Sequence, residues 1–149
     1  MFPKLIAFET RQYPKLWSSG VLFLGSLREE LWGKGSGASS KLADNVKKVD
    51  TWLSKDKSNH QNTVTLCPDI PRIIENALKN GASIALVSRH DSKLLVDRVL
   101  YYFHATDPRD NQQKSIIKMV RYNEIVNESK TKHFERIQGW SKYAYDDMV

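Results

Sequence analysis

Three stretches of the sequence carry groups with acid, hydroxyl or cationic chemistry close to apolar runs: Phe8-Glu9-Thr10-Arg11, Val87-Ser88-Arg89-His90 and Ser129-Lys130. Ser88 can donate its hydroxyl to an anion's oxygen, and Lys130 can reach the same oxygens as a compact point charge. Arg11 and Arg89 add planar fork donors. These groups suit a phosphate or another small anion, whereas Glu9 offers a carboxylate for nucleophilic or base chemistry. Ser88 and His90 do not read as a nucleophile pair, because residues two apart on a loop rarely face each other and no third orienting acid is in sight. His133 reads as a structural hydrogen-bonding residue, and His60 and His104 lack ligand-like spacing.

The elements that must position these groups follow from hydropathy. Leu5-Ile6-Ala7-Phe8 is a short continuous apolar run, the pattern of a fully buried parallel strand. Ser83-Ile84-Ala85-Leu86-Val87 is a second such strand, Thr63-Val64-Thr65-Leu66 alternates like a strand, and Glu124-Ile125-Val126 is a short one. Between them, Leu42, Val46, Val49 and Leu53 recur at helical spacing with Trp52 widening the stripe, which predicts an amphipathic helix after Ser39 or Ser40. Gly33, Gly35 and Gly37 before it read as a flexible joint. A helix is expected from Asp69, its N-cap, past Pro71 to Asn80, closed by Gly81. Further helices are expected over 92–103, 112–120 and 130–138. Strands alternating with helices imply an α/β fold with a central parallel sheet and helices on both faces. Right-handed crossovers then bring the loops after Phe8, after Val87 and before Lys130 to one edge, where ligands bind.

On these same residues the sequence resembles the magnesium-dependent phosphatase family, acid phosphatase-like members of the haloacid dehalogenase superfamily. Pro3 to Phe8 is similar to the segment leading into the family's Phe-Asp-x-Asp motif, with Trp17 displaced beyond it. Cys67-Pro68-Asp69-Ile70-Pro71-Arg72-Ile73-Ile74 resembles Tyr-Pro-Asp-Val-Pro-x-Ile-Leu, and Val87-Ser88-Arg89-His90 resembles Ala-Ser-Arg-Thr. Ser129 to Gln138 is close to Ser-Lys-x-x-His-Phe-x-Arg-Leu-Gln. The resemblance implies a Rossmannoid three-layer sandwich, incomplete at its C-terminal side because Met148-Val149 coincides with the start of a further strand. That strand would pair with Leu5–Phe8, so an open sheet edge is expected.

In the family, the first Asp attacks phosphorus, the second acts as acid and base, and a backbone carbonyl between them, together with acids that follow a later strand, holds magnesium. Here Glu9 stands at the nucleophile position and Arg11 replaces the acid/base. A guanidinium neither exchanges protons near neutral pH nor tolerates a nearby dication. Asp146 and Asp147 precede the later strand and do not fill its role. The expectation is a degenerate member without a metal that has lost catalysis and acts by protein binding, as a subunit of a larger assembly, with Ser88, Arg89 and Lys130 as candidate phosphate or anion ligands. Alternatives are an inert Glu9–Arg11 ion pair and a weakly active phosphatase using Glu9.

Length and composition set the remaining bounds. The 149 residues suit one domain, with 40% hydrophobic and 27% charged residues. No apolar run approaches the roughly 18 residues of a membrane span, and no signal peptide is evident, so the expectation is an intracellular, cytoplasmic location. Cys67 is the only cysteine and reads as a buried small residue. A net charge of +6 favours anionic partners, nucleic acid among them. The 18–62 segment reads as a divergent flap inserted over the site. Its Trp32 and Trp52 are candidate contacts for a protein partner or for self-association, whereas Trp17 and Trp140 read as core.

Overall fold

The computed structural model describes residues 1–10, 21–22, 24–25, 27 and 30–149. In chain order the elements are strands β1 (Leu5–Glu9), β2 (Val21–Leu22), β3 (Leu24–Gly25), β4 (Val46–Lys48), β5 (Leu53–Asp56) and β6 (Asn59–Leu66), then helix α1 (Ile70–Lys79). Strand β7 (Ser83–Ser88), helix α2 (Lys93–Tyr102), strands β8 (His104–Asp107), β9 (Gln112–Ser115) and β10 (Val120–Ile125), and helix α3 (Lys130–Ser141) follow.

The central sheet runs in the order β10-β7-β1-β2, with every pairing parallel. Alternation along its strands sends side chains to two faces. Ile6, Phe8, Ile84 and Leu86 join one core with Ile74 and Ala77 of α1 and Leu95, Val96, Val99 and Leu100 of α2. Leu5, Ala85, Val87 and Tyr122 join a second core with Ile137 of α3. Because both faces are covered, the strands read as continuous apolar runs, and the expected layered α/β architecture is the one observed.

Helix α1 follows the sequence closely. Pro71 lies in the first turn, and Gly81 takes φ +79° just past the end. Asp69 precedes the helix through its backbone, accepting from Ile73 N–H with its carbonyl at 3.0 Å, and its carboxylate makes no capping bond. Helices α2 and α3 are capped by side chains: Ser92 Oγ accepts from Leu95 N–H, and Ser129 Oγ from Lys132 N–H. Helix α3 extends to Ser141, past the expected end. Cys67 is half-buried against the main core, and burial pushes its thiol pKa up.

Four expectations are corrected. The amphipathic helix after Ser40 is instead a 3₁₀ turn, Leu42–Asn45, followed by the antiparallel sheet β3-β6-β5-β4. Val49 N–H and Asp50 N–H both donate to the Leu53 carbonyl, which turns the chain back, so Val46 is buried while Val49 and Trp52 are exposed. The apparent stripe was coincidental spacing of strand-forming residues. The helix expected over 112–120 is strand β9, paired with the unforeseen β8, and a 3₁₀ turn at Ile116–Met119. Asn111 at φ 57° supplies the turn between the two strands.

The glycine-rich stretch is not a joint. Gly33 N–H donates to Asp56 Oδ2 at 2.8 Å, and Gly35 lies so close to Ser58 that a Cβ would stand 1.9 Å from its carbonyl oxygen. Finally, the edge of β1 is not open. Phe8 and Glu9 pair with β2, while Ala7 N–H donates to Val149 O at 2.7 Å and Val149 N–H to Leu5 O at 3.0 Å. Met148–Val149 thus run parallel to β1, as the expected further strand would. Among the described residues no helix is long and apolar enough to cross a membrane.

Candidate functional site

Parallel pairing decides which side chains meet. Leu5 stands opposite Ser83 and Phe8 opposite Leu86, so β1 and β7 reach the same edge together, with Glu9 and Ser88 as their last residues. Ile125, the last residue of β10, is opposite Ser88. The chain then turns into α3, whose first residue is Lys130. The three loops converge as the sequence implied.

Lys130 Nζ donates to Glu9 Oε1 at 2.6 Å and to the Val87 carbonyl at 3.0 Å. The Glu9 side chain retains 16% of its exposure and Lys130 35%, so the pair lies at the mouth of the site. Partial burial strengthens the attraction and makes loss of either partner costly. Among the described residues the counter-charge at Glu9 is Lys130, and the Arg11 that the sequence set beside it lies outside them.

Beneath this pair is a buried hydroxyl cluster. Thr10 Oγ1 donates to Ser88 Oγ at 2.7 Å, and His90 N–H donates to the same oxygen at 3.2 Å. Ser88 thus accepts twice and retains its own hydrogen for donation. Ser88, Thr10 and His90 are all buried. His90 Nδ1 accepts from Ser92 N–H at 3.1 Å, which leaves the ring proton on Nε2 if the ring is neutral. The imidazole is thus oriented by the backbone of its own loop. Arg89 is exposed.

The loop that delivers Lys130 is pinned at its start. Val126 N–H donates to Ser88 O at 3.0 Å, and the buried His133 donates from Nε2 to the Val126 carbonyl at 2.8 Å. This is the structural role read for His133. Arg136 grips Glu124 through two parallel bonds, at 2.7 and 2.9 Å, and also reaches Glu128 at 2.7 Å. The Glu124 carboxylate, followed by that of Glu128, raises the Arg136 pKa. Sequence reasoning passed over Thr10, Val126, Glu124 and Arg136. Thr10 lay in plain view between Glu9 and Arg11, but its contact is to a residue 78 positions away.

The described donor set does not fit magnesium. Mg²⁺ takes oxygen ligands in octahedral geometry, usually with one or two carboxylates. Here the carboxylate at the site is held by an ammonium, and among the described residues no three His, Cys, Asp or Glu side chains gather to hold a metal ion. Asp147 pairs with Lys4 at 2.8 Å, which puts it beside the start of β1, away from Glu9.

Of the two tryptophans expected to meet a partner, Trp32 is 1% exposed and part of the core, so its ring is not a contact surface. Trp52 is 43% exposed. Trp140, expected in the core, is 57% exposed on α3, while Trp17 lies outside the described residues. Compared with known families, the chain matches the acid phosphatase family model over residues 32–149. The matched stretch includes Ser88 and Lys130 and begins after Glu9. No curated protein matches the chain.

Proposed function

Because the chain belongs to the acid phosphatase family, we propose that it is a member that no longer hydrolyses phosphate esters and acts by binding. The observation that carries this reading is the Glu9–Lys130 contact at 2.6 Å, at a site where the described residues bring together no group of three His, Cys, Asp or Glu side chains able to hold a metal ion. A phosphoryl-enzyme route needs one carboxylate to attack and another acid to shuttle protons. Arg11, which stands at the second position by resemblance, cannot exchange protons near neutral pH. Glu9 is also one methylene longer than the family's Asp, and a misplacement of about 1 Å costs on the order of a hundredfold in rate.

What remains is suited to holding an anion. Ser88 retains a donor hydrogen, and Lys130 and Arg89 supply positive charge at the same edge. The exposed Trp52 in the 18–62 segment is the candidate surface for protein contact. Purified protein should leave p-nitrophenyl phosphate intact with or without magnesium. Magnesium-dependent hydrolysis that disappears in Glu9→Ala overturns the proposal.

A second reading, a weakly active phosphatase using Glu9, is favoured by the convergence of Glu9, Ser88 and Lys130 at the carboxyl ends of parallel strands. A beryllofluoride adduct on Glu9, detected by fluorine NMR and absent in Glu9→Gln, would establish it.

A further inference from the structure

Apart from the site at the central sheet, the antiparallel sheet β4-β5-β6 carries an unusual concentration of positive charge. Lys47 of β4 is directly opposite Lys55 of β5, which is directly opposite Thr63 of β6, so the three side chains form one row on one face. Like charges opposed across a ladder are destabilising. Among the described residues neither lysine, nor the flanking exposed Lys48 and Lys57, pairs with a carboxylate.

The acids on these strands and on the β4–β5 turn are already engaged. Asp56 is buried and accepts from Gly33 N–H and from Ser58, and Asp50 accepts from Trp52 N–H. The described side-chain contact on the row is Lys55 Nζ donating to His60 Nδ1 at 3.4 Å, which leaves the imidazole Nε2–H as a further donor. The row therefore presents two ammonium groups, an imidazole N–H and a hydroxyl.

We propose that this face binds the phosphodiester backbone of a single-stranded nucleic acid. Charge complementarity selects an anion, and the chain's net charge of +6 supports long-range attraction to a polyanion. An extended polymer fits better than a small molecule, because the donors spread across three strands on an open face. Directly opposed residues stand about 5 Å apart, so both ammonium groups can contact phosphates of a single strand. The row carries no aromatic side chain on which bases could stack, so binding is independent of sequence.

The test is fluorescence anisotropy with labelled oligo-dT and the full chain over a range of salt. Lys47→Gln/Lys55→Gln should weaken binding by about tenfold and lower the salt slope by about 1.4, the loss of two single-strand phosphate contacts. Lys47→Arg/Lys55→Arg should retain both, and Lys79→Gln on α1 should change neither. Circular dichroism of each variant verifies the fold. Unchanged affinity in the double Gln variant, or no binding at low salt, overturns the proposal. So does equal or tighter binding to phosphatidylserine vesicles, to polyglutamate or to a duplex of the same length. The outcome is independent of whether Glu9 has chemistry.

Discussion

At the scale of single residues, the Glu9–Lys130 pair dominates the site. Each partner is part-buried, so removing one leaves the other charge poorly solvated. Lys130→Ala should destabilise the fold by about 1–3 kcal/mol in urea unfolding. A double-mutant cycle with Glu9→Gln and Lys130→Met should return a coupling energy of about 0.5–3 kcal/mol. Coupling near zero would show that the two side chains are solvated independently. Below them, Thr10→Val replaces a buried donor to Ser88 by a methyl group of similar shape. It should cost about 1 kcal/mol by the same assay, because Ser88 still accepts from His90 N–H.

Among the elements, two glycines separate two reasons for being glycine. Gly81 sits at φ +79° with open space around its Cα, so Gly81→Ala meets only the left-handed penalty, about 1–2 kcal/mol. Gly35 has the opposite problem, since an added Cβ would overlap the Ser58 backbone. Gly35→Ala should therefore cost at least about 2 kcal/mol and disturb the turn between β5 and β6. Thermal unfolding of the two variants side by side distinguishes the effects, and an equal small loss in both would contradict this account.

The β8–β9 hairpin contains an acid-sensitive ion-pair cluster. Hydrogen bonds from Arg109 hold the buried Asp107 carboxyl well below the usual carboxylate range, against the opposing effect of burial, and Lys114 adds to the lowering. A depressed folded-state pKa means that the stabilisation is fully present above the unfolded value of 3.8 and is lost as pH falls below it. Melting temperature should drop steeply below about pH 4, and Asp107→Asn should be less stable at neutral pH yet show a shallower acid limb. An unchanged acid limb in that variant would place the sensitivity elsewhere.

For the whole molecule, the decisive contact joins residues almost a chain length apart. Met148 and Val149 lie beside Leu5–Ala7, with two ladder bonds to β1 and a third from Lys4 N–H to Asp147 O at 2.8 Å. Omitting Met148 and Val149 should lower stability by about 1–3 kcal/mol, from lost ladder bonds and lost packing of Met148 on the second core. Hydrogen exchange should show the amide of Ala7 losing protection while those of β7 keep theirs. Loss across the whole sheet would mean that these two residues hold more than their own edge.

Much of this architecture was legible in one dimension, and the reasons are local. Continuous apolar runs named β1 and β7 because strands covered on both faces have no polar side to show. Pro71, Gly81, Ser92 and Ser129 marked helix ends because capping and backbone freedom are properties of single residues. The convergence of Glu9, Ser88 and Lys130 was legible for a related reason, since parallel strands carry their following loops to a common edge. What was not legible depends on partners distant in the chain. Residues 42–53 satisfy a helical spacing, but ladder pairing of β4 with β5 and of β5 with β6 outweighs it, and β8 and β9 specify each other rather than themselves. Trp32 is buried and Trp140 exposed for the same reason, because burial is decided by what packs against a side chain. The sequence by itself determined which chemistry stands at the ends of the strands. Only the tertiary structure decided that Lys130 neutralises Glu9 and Thr10 occupies Ser88, because both contacts are made by packing residues from opposite ends of the sheet's connectivity.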